Sequence, residues 1–181
     1  MLHLFLANGF EEIEAITTLD ILRRCGLEVN TVSVTGARLI TGAHGIPIMA
    51  DSIFRKNIIE HSNGLILPGG MPGARNLSLH DGLRKALLVH VQRGTLLAAI
   101  CAAPLILGKY GLLDGKRATC YPGFESNLKG AIITENLVEE DGNIITGRGP
   151  AAAADFAFAI ARRFVSLDKV TEVKMGMLLP R

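Results

Sequence analysis

Several features that would place this chain in a broad functional class are missing from it. No segment approaches the roughly 20 apolar residues of a bilayer span, and Met1 to Ala7 enter an apolar stretch without a basic leader or a small-residue cleavage site. The expectation is a cytoplasmic protein with no membrane partner. The 19 basic and 17 acidic residues leave a formal charge of +2 and form no run of one sign, so no nucleic-acid partner is expected. Cysteine is scarce: Cys25, Cys101 and Cys120 show neither CxxC nor Cys/His metal spacing, which argues for reduced thiols and against a disulfide framework or a metal site. Internal repeats and low-complexity linkers are also absent. With 181 residues, of which 49% are hydrophobic, one domain over residues 1–181 is the expectation.

What is present is an alternation of short apolar runs with longer stretches of helical period, the pattern of a mostly parallel sheet covered on both faces. Strands are expected at Leu2 to Ala7, Val29 to Val34, Gly64 to Leu67, Thr95 to Ile100, Ala118 to Cys120 and Ile144 to Thr146. Helices are expected from Glu12 to Cys25, Asp81 to Arg93, Ala103 to Tyr110 and Ala151 to Val165. In the second of these, Leu83, Leu87 and Val91 make one apolar stripe at four-residue steps. The first ends at Arg23, Arg24 and Cys25 before Gly26, with cations at its carbonyl end and a glycine suited to the left-handed cap. Asp141-Gly142 between two apolar pairs signals an antiparallel hairpin, and Thr35 to Met49, with its glycines and broken alternation, reads as a second hairpin-like excursion.

The chemistry concentrates on Cys101. It follows the apolar run Leu96 to Ile100 and precedes Pro104, a residue suited to a first helical turn, so it falls at a strand-to-helix elbow at the carboxyl end of the sheet. Free N–H groups there favour a thiolate, and a low thiol pKa is the expectation. The alternative is a cysteine serving as a small core hydrophobe. Gly69 and Gly70 follow another strand, where exposed N–H groups suit an oxyanion hole or a simple strand-ending turn. After the first strand comes Asn8-Gly9-Phe10-Glu11-Glu12-Ile13-Glu14. Glu11 and Glu12 read as solvent-facing helix-start anions, whereas Glu14 is either that or a functional acid.

These stretches, together with Leu67-Pro68-Gly69-Gly70-Met71-Pro72-Gly73, Ala98 to Pro104 and Thr146-Gly147-Arg148-Gly149-Pro150, resemble the ThiJ/PfpI superfamily over nearly the whole chain. The closest likeness is to the branch that holds the parkinsonism-associated protein deglycase. The resemblance implies an α/β, flavodoxin-like three-layer sandwich related to the class I glutamine amidotransferases, with a cysteine nucleophile elbow. It implies a homodimer with Cys101 as nucleophile, a protonated Glu14 bonded to its sulfur, and N–H groups of Gly69, Gly70 and Ala102 at the oxyanion site. No cofactor is implied. The activities described for the branch are glyoxalase, deglycase and redox-responsive chaperone, with a small aldehyde or a glycated protein as substrate.

One departure concerns the base. Where many relatives carry a histidine, this chain has Tyr121, preceded by Cys120, and a phenol ionising near ~10 is a poor base at neutral pH. His44 stands where some relatives place an arginine, and Arg24 is a further accessory candidate. All five histidines, at 3, 44, 61, 80 and 90, precede Cys101, so an amidotransferase-type triad with a downstream histidine cannot be assembled, and Ala102, where the related peptidase branch places a histidine, argues against a peptidase. Gly69 and Gly70 lack the lysine and hydroxyl of a phosphate loop, which argues against a thiazole-phosphate role. The competing reading is a redox sensor that works through oxidation of Cys101.

Overall fold

In the computed structural model, which describes residues 1–179, the short apolar runs become the strands of one central sheet. The first half of the chain forms β1 (Leu2–Leu6), α1 (Glu12–Arg24), β2 (Val29–Ser33), β3 (Leu39–Thr41), β4 (Pro47–Met49), β5 (Ser52–Ile53), α2 (Lys56–Ile59), β6 (Gly64–Leu67), α3 (Gly73–Leu79) and α4 (Asp81–Gln92). The second half adds β7 (Leu96–Ile100), α5 (Pro104–Lys109), β8 (Arg117–Ala118), β9 (Ile132–Ile133), β10 (Val138–Asp141), β11 (Ile144–Gly147), α6 (Ala153–Ala161) and α7 (Leu167–Gly176). The seven-stranded sheet runs β10-β11-β7-β6-β1-β2-β5, parallel throughout except for β10 against β11. This is the doubly wound α/β sandwich of the flavodoxin type.

Burial explains the strand sequences. β1, β6 and β7 are buried at every position, because helices cover both faces of the sheet, and apart from His3 in β1 they accordingly read as apolar runs. α1 packs on α6, and α3 lies between α4 and α5. Leu83 and Leu87 of α4 face the core as the four-residue spacing predicts, with Val91 half-buried. Both anticipated hairpins form, β3 with β4 and β10 with β11.

Chain order creates the position of the site. From β1 the chain moves to β2 on one side, then returns to β6 on the other, so the winding direction reverses between β1 and β6. Side chains beyond the carboxyl ends of such strands line a crevice. β7 lies next to β6, with Gly64 opposite Leu96, which brings three strand ends together.

Some elements differ from expectation. The strand anticipated at Ala118 to Cys120 is only Arg117–Ala118, and it pairs with β9 in a separate small unit rather than in the main sheet. The helix anticipated from Ala151 opens with a 3-10 turn at Pro150–Ala152 and ends at Ala161. α3 and α7 were not anticipated; α7 buries only Val170 and Val173, too narrow a stripe to stand out. Among the described residues no helix is long and apolar enough to cross a membrane.

Candidate active site

Cys101 occupies the elbow between β7 and α5 with φ 64, a conformation uncommon for any residue other than glycine. Two backbone hydrogen bonds hold it there. Its N–H donates to Gly147 O at 2.8 Å, and its carbonyl accepts from Tyr121 N–H at 2.9 Å. The side chain is 8% exposed, so the sulfur is nearly but not fully enclosed. The N–H groups of Gly70 and Ala102 face the sulfur, and neither has another partner among the described residues.

Glu14 lies in the first turn of α1 and is fully buried. Its Oε2 accepts the Gly69 N–H at 2.7 Å, and its carboxyl interacts with the Cys101 thiol. Oε1 is buried with no hydrogen-bond partner among the described residues. Gly69 fits between the two reactive groups only because it lacks a side chain: a Cβ would stand 2.7 Å from Cys101 Cβ and 2.7 Å from Glu14 Oε2. Gly69 therefore differs from the expectation. Its N–H is spent on Glu14, so it places the acid, and the donors aimed at the sulfur are those of Gly70 and Ala102.

The electrostatics also differ from the expectation of a low thiol pKa. Burial, with some help from the nearby Glu11 charge, lifts Glu14 to about 7 against the opposing pull of the Cys101 and Gly69 hydrogen bonds. Burial and then the Glu14 carboxylate push the Cys101 thiol up to about 12, outweighing the Gly70 and Ala102 donors. α5 has only six residues, so its end supplies little of the helix field that would favour a thiolate. The two acids thus titrate as one unit that holds a single proton between about 7 and about 12. A thiolate exists in that range only as the arrangement with Glu14 protonated, the arrangement that Gly70 and Ala102 favour and Gly69 opposes.

The other candidates separate clearly. Tyr121 is 46% exposed and its ring lies against Gly149, next to the elbow that its own N–H braces. Cys120 is 2% exposed, and burial pushes its thiol up to about 11, the behaviour of a core thiol. Arg24 does not join the site. It pairs with Asp20 at 2.6 Å at the far end of α1, ten positions or roughly 15 Å of helix beyond Glu14.

His44 sits elsewhere too, and the reason overturns the expectation of solvent-facing helix-start acids. Glu12 is 6% exposed and Glu11 9% exposed. Glu12 Oε1 accepts the His44 N–H at 2.7 Å and its Oε2 is paired with His44 Nδ1 at 2.8 Å, which ties the turn between β3 and β4 to the start of α1. The imidazole itself is 68% exposed, and the bond to Glu12 raises its pKa. The Gly147 carbonyl that anchors Cys101 lies within the Thr146 to Pro150 motif, whereas nothing local to Glu12 in the sequence signals its bond to His44.

Residues 2–163 match the model of the DJ-1/PfpI family. Among curated proteins, Protein DJ-1 homolog B of Arabidopsis thaliana is 38% identical over 176 residues, 96% of this chain, although this chain spans only 40% of that protein's length. The Pyrococcus horikoshii protein named a deglycase is 34% identical over 169 residues, covering 92% of this chain and 98% of its own. The crystal structure of Drosophila melanogaster DJ-1beta superposes with a TM-score of 0.94 at 33% identity, covering 99% of this chain and 98% of that one. With the matched residues running from β1 through α6, and so including every group gathered around Cys101, the chain belongs to the DJ-1/PfpI family.

Proposed function

We propose that this chain is a cysteine-dependent enzyme that acts on glyoxals, or on their adducts with proteins, as a glyoxalase or deglycase. The observation that carries the reading is the Glu14 carboxyl, fixed by Gly69 N–H and facing the Cys101 thiol beside two unspent N–H donors. The name borne by the Pyrococcus relative supports it.

The chemistry follows from the shared proton. With the proton on Glu14, the thiolate attacks the aldehyde carbon and forms a C–S bond. The carbonyl oxygen gains negative charge opposite Gly70 and Ala102 N–H, then takes the Glu14 proton to give a hemithioacetal. Glu14, now a carboxylate, removes the hydrogen from the same carbon and returns it to the neighbouring carbonyl carbon, while the hemithioacetal hydroxyl passes its proton to the neighbouring oxygen, so that the first carbon becomes the thioester carbonyl and the second bears the hydroxyl. Water then cleaves the thioester, releasing a 2-hydroxy acid and restoring the thiol. One water is consumed and no electrons enter or leave.

Steady-state assays on methylglyoxal with the wild type, Cys101→Ser and Glu14→Gln test this. Lactate formation by the wild type that is lost in both variants is the expected result. If wild type and Cys101→Ser are equally inactive on every glyoxal tried, the enzymatic reading fails and a redox role for Cys101 takes its place. A homodimer is part of the proposal, supported by Ile13 and Ile16, which stand 56% and 42% exposed on α1 beside Glu14. Sedimentation that finds a monomer at micromolar concentration would remove it.

A further inference from the structure

α4 has a second face. Leu83 and Leu87 turn to the sheet, while Gly82, Ala86, Val89 and Arg93, at steps of four, three and four and joined by Lys85, share another side. That side opens, with Phe54, α2 and Glu60, on a cleft of about 470 Å³. The volume falls within the range of small-ligand sites, roughly 300–1,000 Å³.

The cleft is braced at one end. His90, 2% exposed, binds the Ile59 carbonyl through Nε2 at 3.0 Å, and Arg93 Nη1 donates to the Glu60 carbonyl at 2.5 Å. The end of α2 is thereby strapped to the end of α4. At the other end Gly82 admits the Phe54 ring, since a Cβ there would lie 2.6 Å from Phe54 Cε1. Phe54, Ile59, Ala86 and Val89 give an apolar lining, and Val89 remains 42% exposed with nothing covering it.

The rim is cationic. Among the lining residues, Lys56, Lys85 and Arg93 stand against a single acid, Glu60. Lys56 has no carboxylate partner among the described residues, and Lys85 is held only by a solvent-exposed pair with Asp81, which costs little to exchange. An apolar body with one negative end matches both halves of the cleft, and Arg93 retains guanidinium N–H groups for a carboxylate.

We propose that this cleft binds a small amphiphilic carboxylate, its apolar body against Phe54, Ile59, Ala86 and Val89 and its head at Lys56, Lys85 and Arg93. The site is separate from Cys101 and does not rest on the proposed enzymatic activity.

Titration of the full-length ¹⁵N-labelled chain with sodium decanoate, followed by amide NMR, tests it, with decyltrimethylammonium and sodium acetate as parallel probes. Saturable shifts confined to α2 and α4 are expected with decanoate, and affinity at least about tenfold lower for the other two probes, the loss of one charge-assisted contact or of the apolar body. Lys56→Glu and Val89→Glu each alter an exposed side chain and should weaken decanoate by a similar factor. Should Val89→Glu lose its folded spectrum, Lys56→Glu carries the comparison. Equal binding of decyltrimethylammonium, equal binding by a folded variant, or shifts centred away from α2 and α4 would each overturn the assignment.

Discussion

Gly69 N–H donates to Glu14 Oε2 at 2.7 Å across 55 positions of sequence, and this bond sets the carboxyl against the Cys101 sulfur. The glycine has no room for a side chain, because both reactive groups already occupy the space. Gly69→Ala is accordingly expected to cost about 1–3 kcal/mol of stability through overpacking and to lower activity far more than that loss explains. Chemical denaturation alongside the methylglyoxal assay checks it. Wild-type turnover in a folded Gly69→Ala variant would show that the placement of Glu14 is not critical.

Glu14 and Cys101 together predict the pH profile of thiol reactivity. The pair loses its first proton at about 7 and its second at about 12, and the one-proton form includes the thiolate. Alkylation by iodoacetamide should rise through about pH 7 in the wild type. In Glu14→Gln that limb should vanish, leaving one thiol ionisation above 7 but below about 12, since the neighbouring negative charge is gone. Turnover of glyoxals by the variant should fall by roughly 10²–10⁴-fold for want of the proton carrier.

The same carboxyl affects stability in the opposite sense from most acids. Its folded pKa, about 7, lies above the ordinary 4.5, so the fold binds that proton more tightly than the unfolded chain does. This contribution is complete below about pH 4.5 and is lost as the pH rises through 7. Glu14→Gln should therefore gain stability relative to wild type between pH 5 and pH 8, by up to ~3 kcal/mol at about 1.4 kcal/mol per unit. Denaturant midpoints at the two pH values measure it, and a constant difference would sink the idea.

His3 predicts acid sensitivity. It is 1% exposed in β1, its Nδ1 is bonded to Ser62 Oγ at 2.8 Å, and its Nε2 has no partner among the described residues. Burial, the chain amino terminus and His90 lower its pKa to about 4, so protonation favours the unfolded chain. Stability should fall as the pH drops from about 6.5 to about 4, by up to ~3 kcal/mol. His3→Gln should flatten that slope in acid denaturation curves.

Arg24 supplies the negative case. Its exposed pair with Asp20 is worth little, so Arg24→Ala should shift stability by no more than ~0.5 kcal/mol and leave kcat/KM for methylglyoxal within about twofold. A large loss of activity would show that Arg24 reaches a site that the single chain does not bring to it.

The legible parts of this protein are those encoded locally. The buried runs ending at Leu6, Leu67 and Ile100 and the turn residues after them mark the three strand ends and the elbow without any knowledge of the partners. Protonation is not encoded locally. The Cys101 thiol is raised by an acid that lies 87 residues earlier in the chain and becomes its neighbour only when β1, β6 and β7 pair. Glu11 and Glu12 look exposed in sequence because the turn that covers Glu12, at His44, comes 32 residues later. Arg24 and Glu14 share α1 but stand ten positions apart on it, which puts them at opposite ends of the helix. α3 begins at a glycine pressed against Gly9 and lacks a clear apolar period, so its packing rather than its pattern defines it.

Because the carboxyl, its anchor and the sulfur arrive from three separate strand ends, the unusual acidity of the pair is a property of the finished sheet. A chain in which β1 has not docked beside β6 carries an ordinary cysteine at 101, reactive at the rate of any solvated thiol. The pH dependence of labelling at that one sulfur is therefore a clock for folding: the moment the step near pH 7 appears is the moment β1 has docked beside β6 with β7 already in place.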